Sequence, residues 1–452
     1  MHLQQALVAT AALSPEDFGR FREHIDAAWI VEALEATGTA SLRKRRLPAE
    51  QVVWLVIGMA LYRNLPVVEV VRSLDLALPG RSGRRAVAPS AVPQARERLG
   101  DEPMQWLFER TGKEWADRSA DEHRFRGLTV WGVDGSTLEV PDTPDNREHF
   151  GGTQTHRGPS GYPLARIVVL MAPRSHLLRG ARIGGYWQGE VSLAEELWST
   201  VPDDSVTLVD KGFFGAPTLL GLTQKGRNRH WVTRKKAKLR MRTVKPLKHG
   251  EEIVEMEVSA PARRTDPTLP ATWQMRTIPY QRKGFRPEAL LTSLLDPEAF
   301  PGDELVALYH ERWELEIGYD EIKTKMLERK EAIRSQYARV VWQELWGILL
   351  AYNLVRLEAA RIAALVGVAP IRISFVTVLR ELRVAFVMWQ HTSPGALPER
   401  IRQLEAGLAE DLARFVLPER RSERNYPRAV KVKMSRYLKK RPQTPPTGGR
   451  AN

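Results

Sequence analysis

The chain has 452 residues, 43% apolar, 8% aromatic and 27% charged, enough for about three domains and unlike a chain disordered along most of its length. Zero cysteines exclude a disulfide scaffold, a thiol nucleophile, a cysteine zinc site and an iron–sulfur cluster. The net charge of +14 points to a polyanionic partner; the longest apolar run, 11 residues from Val52 to Tyr62, is too short to span a bilayer and no secretory leader opens the chain, so a cytoplasmic protein without a membrane partner is expected.

From about Pro15 to Asp117 apolar residues recur at helical spacing: Phe18, Phe21, Ile25 and Ala28, then Val52, Leu55, Val56, Met59 and Tyr62, continuing from Leu65 to Leu78. A run capped by Ser90 stops at Gly100. An all-α domain over residues 1–125 is therefore expected. Near residue 126 the texture turns to β, with Leu128 to Asp134, Ala165 to Met171 and Ser205 to Asp210 as buried strands and Ser192 to Thr200 as an intervening helix. This is the first part, 126–224, of an α/β core. Residues 225–300, with alternating segments at Ile253–Val258 and Trp273–Tyr280, read as a mainly β insertion. Helical patterns over Asp303–Arg329, Ala338–Ala363 and Ile371–Gln390 give the second part of the core, 301–390. A C-terminal helical region, 391–436, and a basic tail, 437–452, expected to be disordered, complete the chain.

The acidic residues carry the chemistry. Asp134 and Asp210 are each expected where an apolar strand ends, a usual place for a catalytic or ligand-binding group in α/β proteins; a turn or helix-cap role is as reasonable for either alone. If residues 309–323 form one helix, Tyr309, Arg312, Glu316 and Lys323 fall within roughly a 60° arc, while Glu311, Glu314 and Glu321 point away. Asp320 shares that face and competes with Glu316. A salt-bridged surface helix would explain the charges but not the tyrosine or the bracketing of one acid by two cations. Three carboxylates facing basic groups suit phosphoryl transfer assisted by two divalent ions, whose charge offsets the repulsion between the acids.

These residues resemble the DDE transposases of bacterial insertion sequences, specifically the insertion-sequence-4 group. Tyr309, Arg312, Glu316 and Lys323 match all four positions of that group's Tyr-x2-Arg-x3-Glu-x6-Lys signature. Val133 to Thr137 with Pro141 to Asn146 resembles its first-aspartate block, and Val209 to Phe214 its second, with Lys211 where arginine is usual. Gln343 to Asn353 is similar to its C-terminal region. The resemblance favours Glu316 over Asp320. It implies a ribonuclease-H-like core with a β insertion and Asp134, Asp210 and Glu316 as catalytic and metal-binding residues. It also implies two Mg²⁺ ions, with Mn²⁺ as substitute, and metal-dependent cut-and-paste transposition by a synaptic homodimer on double-stranded DNA, both terminal inverted repeats and target. A hairpin intermediate is implied by the family alone.

Residues 225–248 contain eleven cations and no acid, so Arg234, Lys235, Lys236 and Lys238 are expected to follow phosphates, with Arg312 and Lys323 holding phosphates and Tyr309 facing DNA beside the acids. Trp273 is the tryptophan expected to stack on an extruded base. In the N-terminal domain Arg43 to Arg46 and the helix bearing Gln94, Arg96 and Arg98 are candidates for reading the repeat. Two other readings are an inactive transposase-derived DNA-binding protein and a generic metal-dependent nuclease. Gly221 to Gly226 lacks the Lys-Ser/Thr of a P-loop.

Overall fold

The computed structural model describes residues 25–40, 47–74, 76, 87–155, 158–159, 161–282, 285–328, 333–389 and 412–418. The Arg43–Arg46 run, residues 391–411 and the 437–452 tail lie outside them. Helices α1 (Ala27–Ala36), α2 (Ala49–Leu61), α3 (Val67–Ser73), α4 (Ala91–Leu99) and α5 (Glu102–Glu122) come first. A long strand, β1 (Thr129–Glu139), leads through α6 (Pro144–Phe150) and a small hairpin, β2 (Gln154–Thr155) with β3 (Gly158–Pro159), to β4 (Leu164–Met171) and β5 (Leu178–Gly185). Then follow α7 (Glu190–Leu197), β6 (Ser205–Val209), α8 (Ala216–Gln224), β7 (Arg229–Arg234), β8 (Arg242–Pro246), β9 (Glu252–Glu257), α9 (Ala260–Thr265), β10 (Thr272–Tyr280) and β11 (Glu288–Thr292). The chain continues through α10 (Gly302–His310), α11 (Trp313–Asp320), a π turn (Glu321–Met326), α12 (Ala338–Val366) and α13 (Phe375–Trp389).

Nine strands make one sheet in the order β5-β4-β1-β6-β7-β11-β10-β9-β8. β5, β4 and β1 are antiparallel, and β6 and β7 join β1 in parallel. These five strands are the ribonuclease-H-like core. β11 adds to β7 antiparallel, and β10, β9 and β8 follow as a meander. The boundary expected at residue 225 is thereby corrected: β7 is a core strand, in register with β6 from Ser205↔Arg229 to Val209↔Thr233, and the insertion begins only after Arg234.

The helical N-terminal part is not a separable body. α2 is buried on nearly every side, Glu50 and Gln51 included, and it packs on α12 so closely that a Cβ on Gly347 would collide with Val56 Cγ1. Arg63 and Glu344, both almost wholly buried, pair at 2.6 Å across this contact. α5 lies against the sheet, with Gly112 under the Leu178 carbonyl. One apolar core thus runs from α1 through the sheet to α13. α12 stops at Gly367, whose φ of +73° is the left-handed cap that glycine adopts without a Cβ penalty. Asn353 on α12 bonds both ways to Leu178 at 2.8 Å, satisfying backbone groups at the start of β5.

Candidate active site

β1 does not end at Asp134, as the apolar run suggests, but continues to Glu139 against β4. What ends there is its parallel neighbour: the last β1–β6 pair is Val133↔Val209. Asp134 and Asp210 are therefore the next residues on two strands about 4.8 Å apart, one still in the sheet and one leaving it. Asp210 accepts the Gly212 amide at 3.1 Å and so also caps the short turn Lys211–Phe213. Alternation along a strand puts Gly132 and Asp134 on the α11 face and Gly135 on the opposite, α7 face. A Cβ on Gly132 would collide with Leu315 of α11, and one on Gly135 would meet Glu190 of α7 at 2.7 Å. Glycine in mid-strand marks such close approach.

The expected single helix over Asp303–Arg329 is broken. α10 ends at His310, Glu311 and Arg312 form a turn, and the π turn follows α11. The signature residues nonetheless converge. Arg312 reaches Asp134 Oδ2 at 3.4 Å and Glu316 Oε1 at 2.8 Å, and Lys323 Nζ lies 3.1 Å from Ser136 Oγ on β1. Tyr319 donates to the Asp134 carbonyl at 2.8 Å, fixing α11 to β1 beside the acid. Asp320 is exposed, and its ion-pair partner is Lys325 at 4.0 Å, so Glu316 is the acid that faces Asp134. Tyr309 is correctly placed in chain order but buried against Leu305 and Leu308. Burial raises its phenol, which feels both Asp210 and Arg234; it is a wall of the site more than a DNA-facing surface.

Burial, with Glu190 and Asp210 adding to it, raises the Asp134 carboxyl to about 6 against the pull of the Gly135 amide and Arg312. Burial lowers the Lys323 ammonium, with Glu139 opposing. A cleft of about 360 Å³ opens beside the two aspartates, lined also by Arg166, Glu190 and Phe213. Arg166 holds Glu190 at 2.9 Å. Neither residue stands out in the sequence, where a lone Arg and a lone Glu 24 positions apart carry no signal. Gly132 does carry one, as a glycine inside an apolar strand.

Three expectations about DNA contacts are corrected. Arg96 is buried, bonding Gln343 and Ser335 at 2.9 Å each and the Val340 carbonyl at 3.2 Å. It ties α4 to α12 and reads no base, whereas Arg98, on the opposite face of the helix, is exposed. Trp273 is 4% exposed and packed against Phe214 and Trp231, with ring centroids 5.6 and 5.7 Å away; it is core. The cations of 225–248 do find acids, because folding brings in other segments: Arg229 pairs with Asp203, Arg234 with Glu288 and Arg242 with Glu255, while Lys236 donates to the Phe214 carbonyl at 3.1 Å. Lys238 and Arg240 remain exposed, and Lys235 is half-buried. The tip of the β10–β11 hairpin adds Arg282, Arg286 and an exposed Phe285 at the Arg234 end of β7. Among the described residues no helix is long and apolar enough to cross a membrane.

Residues 15–109 match the family described as Insertion element 4 transposase N-terminal, and residues 127–354 match Transposase DDE domain. The chain is 37% identical over 441 residues to Transposase InsG for insertion sequence element IS4 of Escherichia coli (strain K12), covering 97% of this chain and 98% of that one. It is 39% identical over 224 residues to Putative transposase InsZ of the same strain, covering 49% of this chain and 72% of that protein. A solved piggyBac transposase synaptic complex with hairpin DNA aligns over 82% of this chain and 77% of that chain, at 13% identity and a TM-score of 0.41. With both family segments in order and a relative at this identity covered over nearly its full length, the chain belongs to the IS4 group of DDE transposases and is a DNA-binding, DNA-cleaving enzyme of transposition.

Proposed function

We propose that Asp134, Asp210 and Glu316 hold two Mg²⁺ ions, replaceable by Mn²⁺, and that a homodimer uses this centre to nick, excise and rejoin the inverted-repeat ends of an insertion sequence, through a hairpin on the element's end. The observation that carries the reading is Asp134 beside Asp210 on parallel strands, with Glu316 joined to Asp134 through Arg312. The donors suit a hard divalent cation, being carboxylate oxygens throughout, and a cation bound there would offset the burial and the neighbouring acids that raise the Asp134 carboxyl. Among the described residues no three acidic or imidazole groups stand ready as a metal cage, and Arg312 lies between Asp134 and Glu316. Bound ions would supply Lewis-acid stabilisation of the attacking and leaving oxygens of a phosphodiester.

The chain's own cations do the rest. Arg312 and Lys323 cannot ligate a metal and instead hold phosphate oxygens beside the acids. Lys235, Lys238 and Arg240 extend a phosphate-binding track along the insertion, and exposed Arg98 is left as a contact to the repeat. The test is cleavage of a duplex carrying the element's end, with Mg²⁺, Mn²⁺ or chelator, by wild type and by Glu316→Gln. Cleavage that survives chelation, or that Glu316→Gln performs at the wild-type rate, overturns the assignment.

A further inference from the structure

Behind α11, on the side away from Asp134, lies a buried charged cluster that the reaction does not use. His176 sits in the turn between β4 and β5 with φ of +64°, a left-handed conformation that residues other than glycine seldom adopt. Its Nε2 is 2.9 Å from Glu314 and its Nδ1 is 2.6 Å from Arg356 Nη2. An arginine can only donate, so Nδ1 accepts and the ring proton sits on Nε2, donating to Glu314. Glu321 takes Arg356 through both oxygens and the Tyr352 hydroxyl at 2.9 Å. His176, Glu314, Glu321, Tyr352 and Arg356 are all buried. Burial alone would raise Glu321, but the Arg356 guanidinium outweighs it and holds the carboxyl at about 2. Nearby, Gly318 admits Met171 and the Tyr352 hydroxyl within 3.3 Å of where its Cβ would stand.

Glu314 and Glu321 straddle Glu316 in sequence and face the other way. A helix gripped at both of these points can neither roll nor slide without breaking charged, desolvated bonds. We propose that His176, Tyr352 and Arg356, acting through Glu314 and Glu321, are positioning residues that set the rotation and height of α11 and its π turn, and so aim Glu316 and Lys323 at β1. The inference rests on the reading of Glu316 as an acid of the catalytic site. The two anchors act at different heights, since His176 holds the first turn of α11 through Glu314, whereas Arg356 with Tyr352 holds the π turn that carries Lys323.

The test uses full-length protein bound to an end duplex, with single-turnover cleavage, duplex affinity, thermal melting and Mn²⁺ affinity by electron paramagnetic resonance measured together. Mutating groups that orient a metal ligand typically costs about 10- to 100-fold, so His176→Ala and Tyr352→Phe are expected to slow cleavage of the bound duplex and weaken Mn²⁺ binding within that range while duplex affinity stays within about twofold. His176→Gln, which keeps a donor for Glu314, is expected to recover most of the loss of His176→Ala. Tyr352→Phe removes one hydroxyl from a packed ring and tests the idea in a protein that keeps its apolar contacts. The proposal is overturned if these variants, compared per folded molecule, cleave and bind Mn²⁺ like wild type, or if cleavage and duplex affinity fall in parallel. Glu316→Gln separates the two readings: if it cleaves normally, the site assignment fails and not the clamp.

Discussion

The front and back of α11 carry the same kinds of side chain in opposite circumstances. Behind, Glu314 and Glu321 are sealed from water with a histidine, a tyrosine and an arginine around them. In front, Glu316 is 38% exposed and paired with Arg312, while Asp134 holds its proton more strongly than an ordinary aspartate. The arginines repeat the contrast: Arg96 is enclosed by neutral acceptors between two helices, and Arg312 lies at the edge of a cleft between two acids. Charge that is saturated in the interior fixes geometry. Charge gathered beside an open cleft, where β6 leaves the sheet, is free to take a cation or a phosphate.

The sharpest way to break this contrast is to remove the front acids. Asp134→Ala, Asp210→Ala and Glu316→Ala are each expected to abolish cleavage of an end duplex while leaving it bound and the protein as stable as before, whereas Asp320→Ala keeps measurable activity. Near-normal cleavage by any of the first three ends the assignment. Next in size, Trp273→Ala opens a hole against Phe214 and Trp231 and is expected to lose about 3 to 5 kcal/mol of stability in denaturant melts. A base-stacking role would instead lower DNA affinity at unchanged stability. Arg96→Ala, stripping buried charged hydrogen bonds, is expected to cost roughly 3 kcal/mol, with repeat-versus-random discrimination intact in gel shifts of the folded fraction.

Smaller effects test the insertion and the clamp. Lys238→Ala with Arg240→Ala is expected to weaken all duplexes alike and to flatten the salt dependence of binding by about two units of slope, near 0.9 for each phosphate that is no longer neutralised. An unchanged slope would make both residues mere solvated cations. For Glu321 the folded carboxyl lies below its ordinary value of 4.5, at about 2, so its contribution to stability is present above pH 4.5 and is lost as pH falls toward 2. Glu321→Gln is expected to flatten the stability profile across that window and leave its neutral-pH shape unaltered; a profile parallel to wild type contradicts the pairing.

What sequence reasoning reaches, and what it misses, follows from the range of the forces involved. The α-to-β switch near residue 126, the strands at 165–171 and 205–210 and the acids at 134 and 210 are local patterns of apolar residues and turns, and they are legible. The signature spacing survives even though its helix is broken twice, because the turn at Arg312 and the π turn leave Arg312, Glu316 and Lys323 on one side. Non-local pairing is not legible. The acids that answer Arg229, Arg234 and Arg242 come from residues 203, 288 and 255, so a run without acids along the chain is not one in space. Arg96 on an amphipathic helix looks solvent-facing until α12, far along the chain, covers it. Trp273 alternates inward by strand register, which only its pairing with Met256 of β9 fixes.

The unbroken run of strands from β5 to β8 has a mechanical consequence. Since β7 is bonded to β6 on one edge and β11 on the other, flexing the insertion away from the acids would mean tearing a row of backbone bonds. The sheet is then a ruler: β9 lies four strand spacings from β6, roughly 20 Å, or about six base pairs of a DNA strand rising about 3.4 Å per step. Protection of a bound end by this half of the molecule should stop at a sharp border at that distance from the cut, the same in every complex, instead of fading outward.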